Sequence, residues 1–111
     1  LTQDQIDRCF HFGGDGTFEI LDVPGKGKRE RTLNAYILLG LGRFLSSAER
    51  TFTDDEAREV CERAGCYDSA NHAATMKEKG SDLSGDKSKG WTITSIGLKR
   101  AAQLLKDNAA A

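Results

Sequence analysis

Two short helical segments with a tight connection between them constrain the fold of this chain more than any other feature. Thr53 and Glu56 have the spacing of a capping box, which predicts a helix over 54–64. A second helix is predicted over about 69–79, with Asp68 as its cap. A glycine follows each helix and can end it in the left-handed conformation. Because so few residues join them, the two helices must meet at a sharp corner.

The segments on either side of these two helices predict two further helices and one β-hairpin. Apolar residues at helical spacing predict a helix over 30–47 that is buried on most sides. Gly40 and Gly42 are costly inside a helix, so we expect them to allow the close approach of another helix. Residues 81–94 predict a β-hairpin whose tip carries lysines between glycines. A last helix, capped by Thr94 or its neighbour, follows.

The residues before about 30 are predicted to form an appendage to the main unit. Thr2 and Gln5 form another capping box, which predicts a short helix over about 3–10. A short strand is predicted at 18–21, and the proline and glycines of 22–29 indicate a hinge. The predicted organisation is an N-terminal appendage at 1–29, a main domain at 30–108 and a disordered tail at 109–111.

Length and composition limit the class of protein. A chain of 111 residues has room for one hydrophobic core, and a net charge of -1 indicates no partner class. The longest apolar stretch, residues 36–42, is far shorter than a membrane span. Three cysteines cannot all pair with one another, which fits a reducing cytoplasm. Leu1 stands where an initiator methionine is expected, which suggests a piece of a longer protein.

The order of the predicted elements resembles the winged helix-turn-helix family. The residues that carry the resemblance are Phe52–Glu56 at the first short helix, Ala64-Gly65 at the turn, and Gly90–Ala101 after the hairpin. The resemblance implies a mainly α fold with a small antiparallel β-hairpin wing, an α+β arrangement. It also implies binding of double-stranded DNA, as in bacterial regulators of this family, with a recognition helix at about 68–79 and a wing at about 81–94.

A helical wheel of residues 68–79 divides the expected recognition helix into two faces. Ala70, Ala73 and Met76 fall on the side expected to face the core. The opposite side carries the residues expected to contact DNA, with one of them on the flank: Asn71, His72, Thr75 and Lys79. In a major groove the asparagine would bond an adenine edge, and the threonine would touch a thymine methyl group or a phosphate.

Charge is unevenly distributed along the chain. Residues 49–64 contain six acidic and three basic side chains, whereas residues 77–106 contain seven basic and three acidic ones. Lys87 and Lys89 of the hairpin tip are expected to contact the phosphate backbone. Glu78 opposes this interpretation because a carboxylate is repelled by phosphates. Lysines at such positions are also what an ordinary solvated surface carries.

Catalytic and metal sites find little support in the sequence. The three cysteines and His11 lack the paired spacing of a zinc site, and no cysteine has a recognisable base and orienting partner. Asp54, Asp55 and Glu56 are explained by their place in a first helical turn. We therefore expect neither enzymatic activity nor a cofactor or metal.

Two functions remain open at this point. The first is a DNA-binding module of a larger protein, and a homodimer would then match paired half-sites. The second is a protein-interaction module that docks onto another protein, or onto another domain of the parent chain, without binding DNA.

Overall fold

A computed structural model describes all residues, 1–111, as an arrangement of five helices and five short strands. The elements in chain order are α1 Gln3–Asp7, β1 Phe10–Phe12, β2 Phe18–Ile20, α2 Gly27–Ser47, β3 Thr51–Phe52, α3 Asp54–Arg63, α4 His72–Met76, β4 Leu83–Asp86, β5 Gly90–Ile93 and α5 Ser95–Ala110. The fold is therefore α+β with small antiparallel sheets, as the sequence predicts at that level.

The two sheets differ in how far apart their strands lie along the chain. Strands β1 and β2 form an antiparallel hairpin. The second sheet has the order β3-β5-β4, with β5 in the centre. Phe52 pairs with Trp91, and Leu83 pairs with Ile93, so β5 joins the hairpin to the short strand that precedes α3. The predicted hairpin at 81–94 is confirmed.

Helix α2 lies at the centre of the molecule. Residues 35–42 are all buried, which matches the prediction of a helix covered on most sides. It contacts α3, α4 and α5 as well as strands of both sheets. The side chain of Ile93 lies against Gly40, and the rings of Phe10 and Phe18 lie against Gly42. The expected close approach is thus present, but the atoms nearest to both glycines belong to strand side chains and not to a helix.

The N-terminal segment shares the core of the rest of the chain. Cys9, Phe10 and Val23 are buried in the single cluster of apolar side chains that α2 organises. The expected hinge is held in place, since Arg31 donates a hydrogen bond to the Val23 carbonyl and Asn34 donates one to the Pro24 carbonyl. These contacts form because α2 begins at Gly27, within the segment interpreted as a hinge.

Two predicted boundaries also differ from the structure. Helix α5 continues to Ala110, so the expected disordered tail is helical for all but its last residue. The predicted helix at 69–79 contains only the five helical residues of α4, with turns on both sides. Asn71 donates its amide hydrogen to the Asp68 carbonyl in the preceding turn, and its side chain bonds the Asp68 carboxylate.

Candidate nucleic-acid interface

The tip of the β4–β5 hairpin is built by local hydrogen bonds. The Asp86 carboxylate accepts hydrogen bonds from the Ser88 hydroxyl at 2.9 Å and from the Lys89 amide at 2.7 Å. Gly85 has a φ of +97°, and a Cβ there would lie 2.2 Å from the Gly90 carbonyl oxygen. The turn therefore requires glycine, and it leaves Lys87 and Lys89 exposed as predicted.

The orientation of α4 differs from the one that the helical wheel of residues 68–79 predicts. His72 and Thr75 are 5% and 8% exposed, whereas Ala73 is exposed. The predicted outward placement of Thr75 is therefore wrong, and so is the predicted position of His72 on the flank of the helix. The wheel assumed that alanines face the core, but the imidazole of His72 finds a buried hydrogen-bond partner and takes the inner position. Asn71 is exposed, as predicted.

The hydrogen-bond partner of His72 is the Tyr36 hydroxyl, which belongs to a buried polar network around Asp54. Asp54 Oδ1 accepts hydrogen bonds from the Tyr36 hydroxyl at 2.7 Å and from Trp91 Nε1 at 3.0 Å. Arg58 Nε lies 2.9 Å from Asp54 Oδ2. His72 Nε2 lies 2.8 Å from the Tyr36 hydroxyl oxygen. The network thus joins α2, α3, α4 and β5, which are the elements that position α4 against the hairpin.

Proton placement in the network follows from the number of hydrogens available. The single hydroxyl hydrogen of Tyr36 goes to the Asp54 carboxylate, so the hydroxyl oxygen accepts from a protonated His72 Nε2. His72 Nδ1 is then a buried acceptor without a partner. Burial lowers the pKa of His72, and the nearby charge of Arg58 adds to that effect while Asp54 opposes it. Burial and the Asp54 carboxylate both raise the pKa of Tyr36.

A cleft of about 320 Å³ lies over this network, between α4 and the hairpin. Its lining includes four basic side chains from different parts of the chain: Arg58, Lys77, Lys79 and Lys87. Ala73, Met76 and Trp91 form the apolar part of the wall. Lys79 Nζ lies 5.8 Å from the centroid of the Trp91 ring and donates a hydrogen bond to the Leu83 carbonyl at 3.1 Å. The cleft therefore combines an apolar wall with several cations.

The residues predicted to contact DNA lie at three different places in the structure. His72, Lys79 and Lys87 come together at this cleft. Asn71 and Thr75 line a second cleft of about 270 Å³, which also borders His72 and includes Lys28 and Arg29. Lys89 lies at the hairpin tip and lines neither of the two.

Glu78 is neutralised by a residue that is distant in sequence. Its carboxylate forms an ion pair with Arg29, which lies near the start of α2. The repulsion of phosphates that the sequence predicts for Glu78 is therefore reduced.

Most residues that line the cleft between α4 and the hairpin were not predicted as site residues from the sequence. Asp54, Arg58 and Lys77 all line the cleft, yet none was assigned to it. One signal was present, since an aspartate and an arginine four residues apart on a helix form a pair. A second was the tryptophan, whose indole N–H needs an acceptor when buried.

The three cysteines lie in the interior of the molecule. Cys9, Cys61 and Cys66 are free and buried. Burial raises the pKa of Cys9 to about 11 and that of Cys61 to about 12, so both are thiols at neutral pH. No cluster of three His, Cys, Asp or Glu side chains is arranged to hold a metal ion.

The comparisons with known proteins complete the description of the site. No helix has both the length and the apolar character needed to cross a membrane. Searches against protein-family models, curated proteins and solved structures find no match to this chain.

Proposed function

We propose that this chain is a winged helix-turn-helix domain that binds double-stranded DNA. The order from α2 to α5, with a three-stranded sheet in the order β3-β5-β4, supports the family assignment. One observation carries the function: basic side chains from α3, from the segment after α4 and from the hairpin surround a single cleft. Such a clustered positive surface attracts the phosphate backbone of a duplex.

The surroundings of the cleft suit an approach by DNA. Lys87 and Lys89 extend from the exposed hairpin tip, where they can reach phosphates beside the groove that α4 faces. Ala73 and Ala74 are exposed and small, so they allow α4 to come close to the duplex. Asn71, at the start of α4, supplies the side chain best placed for a base edge.

Fluorescence anisotropy with mixed-sequence duplex DNA at several salt concentrations tests this proposal. With roughly four phosphate contacts, the logarithm of the binding constant should fall against the logarithm of salt concentration with a slope of about -3 to -4. Lys87→Glu combined with Lys89→Glu should weaken binding to any sequence. The matched control is Lys99→Glu combined with Lys106→Glu, which changes exposed lysines of α5. Absence of binding near 50 mM salt, or an equal loss in the control, would remove the proposal.

A second candidate is a protein-docking module of the same fold. It is favoured by the shortness of α4, which has five residues, and by the burial of His72 and Thr75. Few polar side chains are then left on α4 to read bases. Gel filtration beside the DNA titration separates the two functions. A monomer that is indifferent to duplex DNA supports docking, whereas salt-dependent binding by a dimer supports the first proposal.

A further inference from the structure

The cleft between α4 and the hairpin has a composition that phosphate binding does not need. Three apolar side chains line it beside the four basic ones. Ala73 is exposed, whereas Met76 and Trp91 are 7% and 6% exposed and present only an edge of their side chains to the cleft, beside Gly85. A DNA phosphate gains nothing from such walls, whereas an aromatic ring gains by leaving water.

The charges around this cleft are not fully compensated. Asp54 is engaged by Arg58, and Asp86 accepts hydrogen bonds from within the hairpin tip. Lys77 and Lys87 have no carboxylate within ion-pair distance. An anionic group is therefore the complementary partner for these two ammonium groups.

We propose that this cleft binds a small organic anion with a flat aromatic body, of the kind represented by aryl carboxylates and nucleoside monophosphates. The aromatic body lies against Trp91 and Met76, and the anionic group lies among the lysines at the edge of the cleft. The volume of about 320 Å³ is near the lower end for ligand sites, which suits a ligand of one or two rings.

A regulatory consequence follows if the proposed DNA binding holds, and this part alone rests on it. Lys87 lines the cleft and also belongs to the proposed DNA surface. The anion and the duplex then compete for the same positive charge, so the ligand should weaken DNA binding.

The test uses the only tryptophan of the chain as its reporter. The indole N–H of Trp91 gives one resolved signal in a ¹H–¹⁵N NMR spectrum, and this ring lines the cleft. The probes are 2-naphthoate, its neutral amide, adenosine 5′-monophosphate and inorganic phosphate, each titrated without DNA. We expect a saturable shift with 2-naphthoate at a Kd of about 1 mM or below. The neutral amide should bind about tenfold more weakly because it lacks the charge.

The pattern across the probes decides the outcome. Tighter binding of the carboxylate or of the nucleotide identifies which aromatic anion the cleft prefers. Equal binding of 2-naphthoate and its amide would exclude recognition of charge, and a shift with phosphate equal to that with 2-naphthoate would exclude recognition of the ring. Either result, or no saturable shift with either aromatic anion, overturns the proposal.

Variants locate the binding within the molecule. Lys77→Gln combined with Lys87→Gln should weaken binding of 2-naphthoate by about fivefold to tenfold, whereas Lys99→Gln combined with Lys106→Gln should not change it. Ala73→Phe fills the cleft from an exposed position, so the protein should fold and lose binding. Unchanged affinity in both cleft variants overturns the assignment to this site.

The proposals for ligand and DNA can fail separately. Ligand binding without any DNA binding removes the proposed function and leaves this inference. DNA binding without ligand binding removes this inference and leaves the proposed function.

Discussion

Asp54 combines two roles that are usually filled by different residues. It is the first residue of α3, where its negative charge is favourable to the helix dipole. It is also 5% exposed and accepts hydrogen bonds from Tyr36 and Trp91 while it faces Arg58. The second role makes it the residue on which the arrangement of α4 and the hairpin depends.

Replacement of Asp54 should therefore be far more damaging than replacement of its neighbour. Asp54→Ala leaves the half-buried Arg58 without its counter-ion and removes the acceptor of two buried donors, so the free energy of unfolding should fall by roughly 3–5 kcal/mol. Asp55→Ala changes an exposed residue of the same helical turn and should cost under about 1 kcal/mol. Urea unfolding followed by circular dichroism measures both values. Equal losses would show that Asp54 acts only through the helix dipole.

His72 should make stability depend on pH just below neutrality. Burial lowers the pKa of His72 from its ordinary 6.5, so the unfolded chain binds a proton more readily than the folded chain. Its neutral form then contributes stability that is fully present above pH 6.5 and is lost as the pH falls from there through the folded pKa. Because a single proton is involved, the slope of this loss has an upper limit of about 1.4 kcal/mol per pH unit.

The variant His72→Gln isolates this contribution. Urea unfolding at pH 7.5 and 5.5 should show a smaller change in the variant than in the parent. The other histidine, His11, is exposed, and His11→Gln serves as the matched control. A pH dependence that His72→Gln leaves intact would assign it to other groups.

At the scale of the elements, the sequence predicts the start of a helix correctly where neighbouring residues cap it. The capping boxes at Thr2 and Thr53 are present, and the Thr94 hydroxyl accepts a hydrogen bond from the Gly97 amide. These bonds lie within three residues, so the sequence alone predicts them. The extent and rotation of α4 depend on Tyr36, which is distant in sequence, and no wheel of residues 68–79 contains that information.

The packing of the first hairpin on α2 was likewise not predictable from local pattern. Strands β1 and β2 have three residues each, which is too short for a clear alternation of apolar side chains. The cost of Gly42 in a helix did indicate a close contact. Its partner, the ring of Phe18, is 24 positions away and could not be identified from spacing.

Gly42→Ala should weaken this contact in spite of the better helix propensity of alanine. A Cβ at Gly42 would lie 2.3 Å from the Phe18 ring, and overpacking of this kind typically costs about 1–3 kcal/mol. The gain in propensity of about 1 kcal/mol offsets only part of that cost. Urea unfolding should thus show a net loss, and Phe18→Leu introduced beside Gly42→Ala should restore part of it. A gain in stability for the single variant would show that β1 and β2 move away freely.

For the whole molecule, the central question is whether residues 1–29 are a separate appendage or part of one folding unit. The sequence favours an appendage because proline and glycine cluster between residues 22 and 29. The structure places Cys9, Phe10 and Val23 in the same apolar cluster as Tyr36 and Leu38. The Asn108 side chain also approaches Cys9 Sγ at 3.6 Å, which links the two ends of the chain.

A fragment of residues 30–111 distinguishes these two descriptions. It lacks three buried side chains and the first turn of α2. Removing Phe10 and Val23 alone forfeits about 3–6 kcal/mol of apolar burial, and a small domain has only about 5–15 kcal/mol of stability in total. We therefore expect the fragment to be largely unfolded, or at least 5 kcal/mol less stable, by circular dichroism and urea titration.

Two substitutions in the full chain separate loss of packing from mere shortening. Phe10→Ala, at a side chain that is 1% exposed, should cost about 3–5 kcal/mol. Leu21→Ala, at one that is 55% exposed, should cost under about 0.5 kcal/mol. A fragment as stable as the full chain, with Phe10→Ala no worse than Leu21→Ala, would restore the boundary near residue 30. A destabilised fragment and a sensitive Phe10 would instead mean that Phe10 and Phe18, through their contact with Gly42, help to hold the helix against which α4 and the hairpin pack.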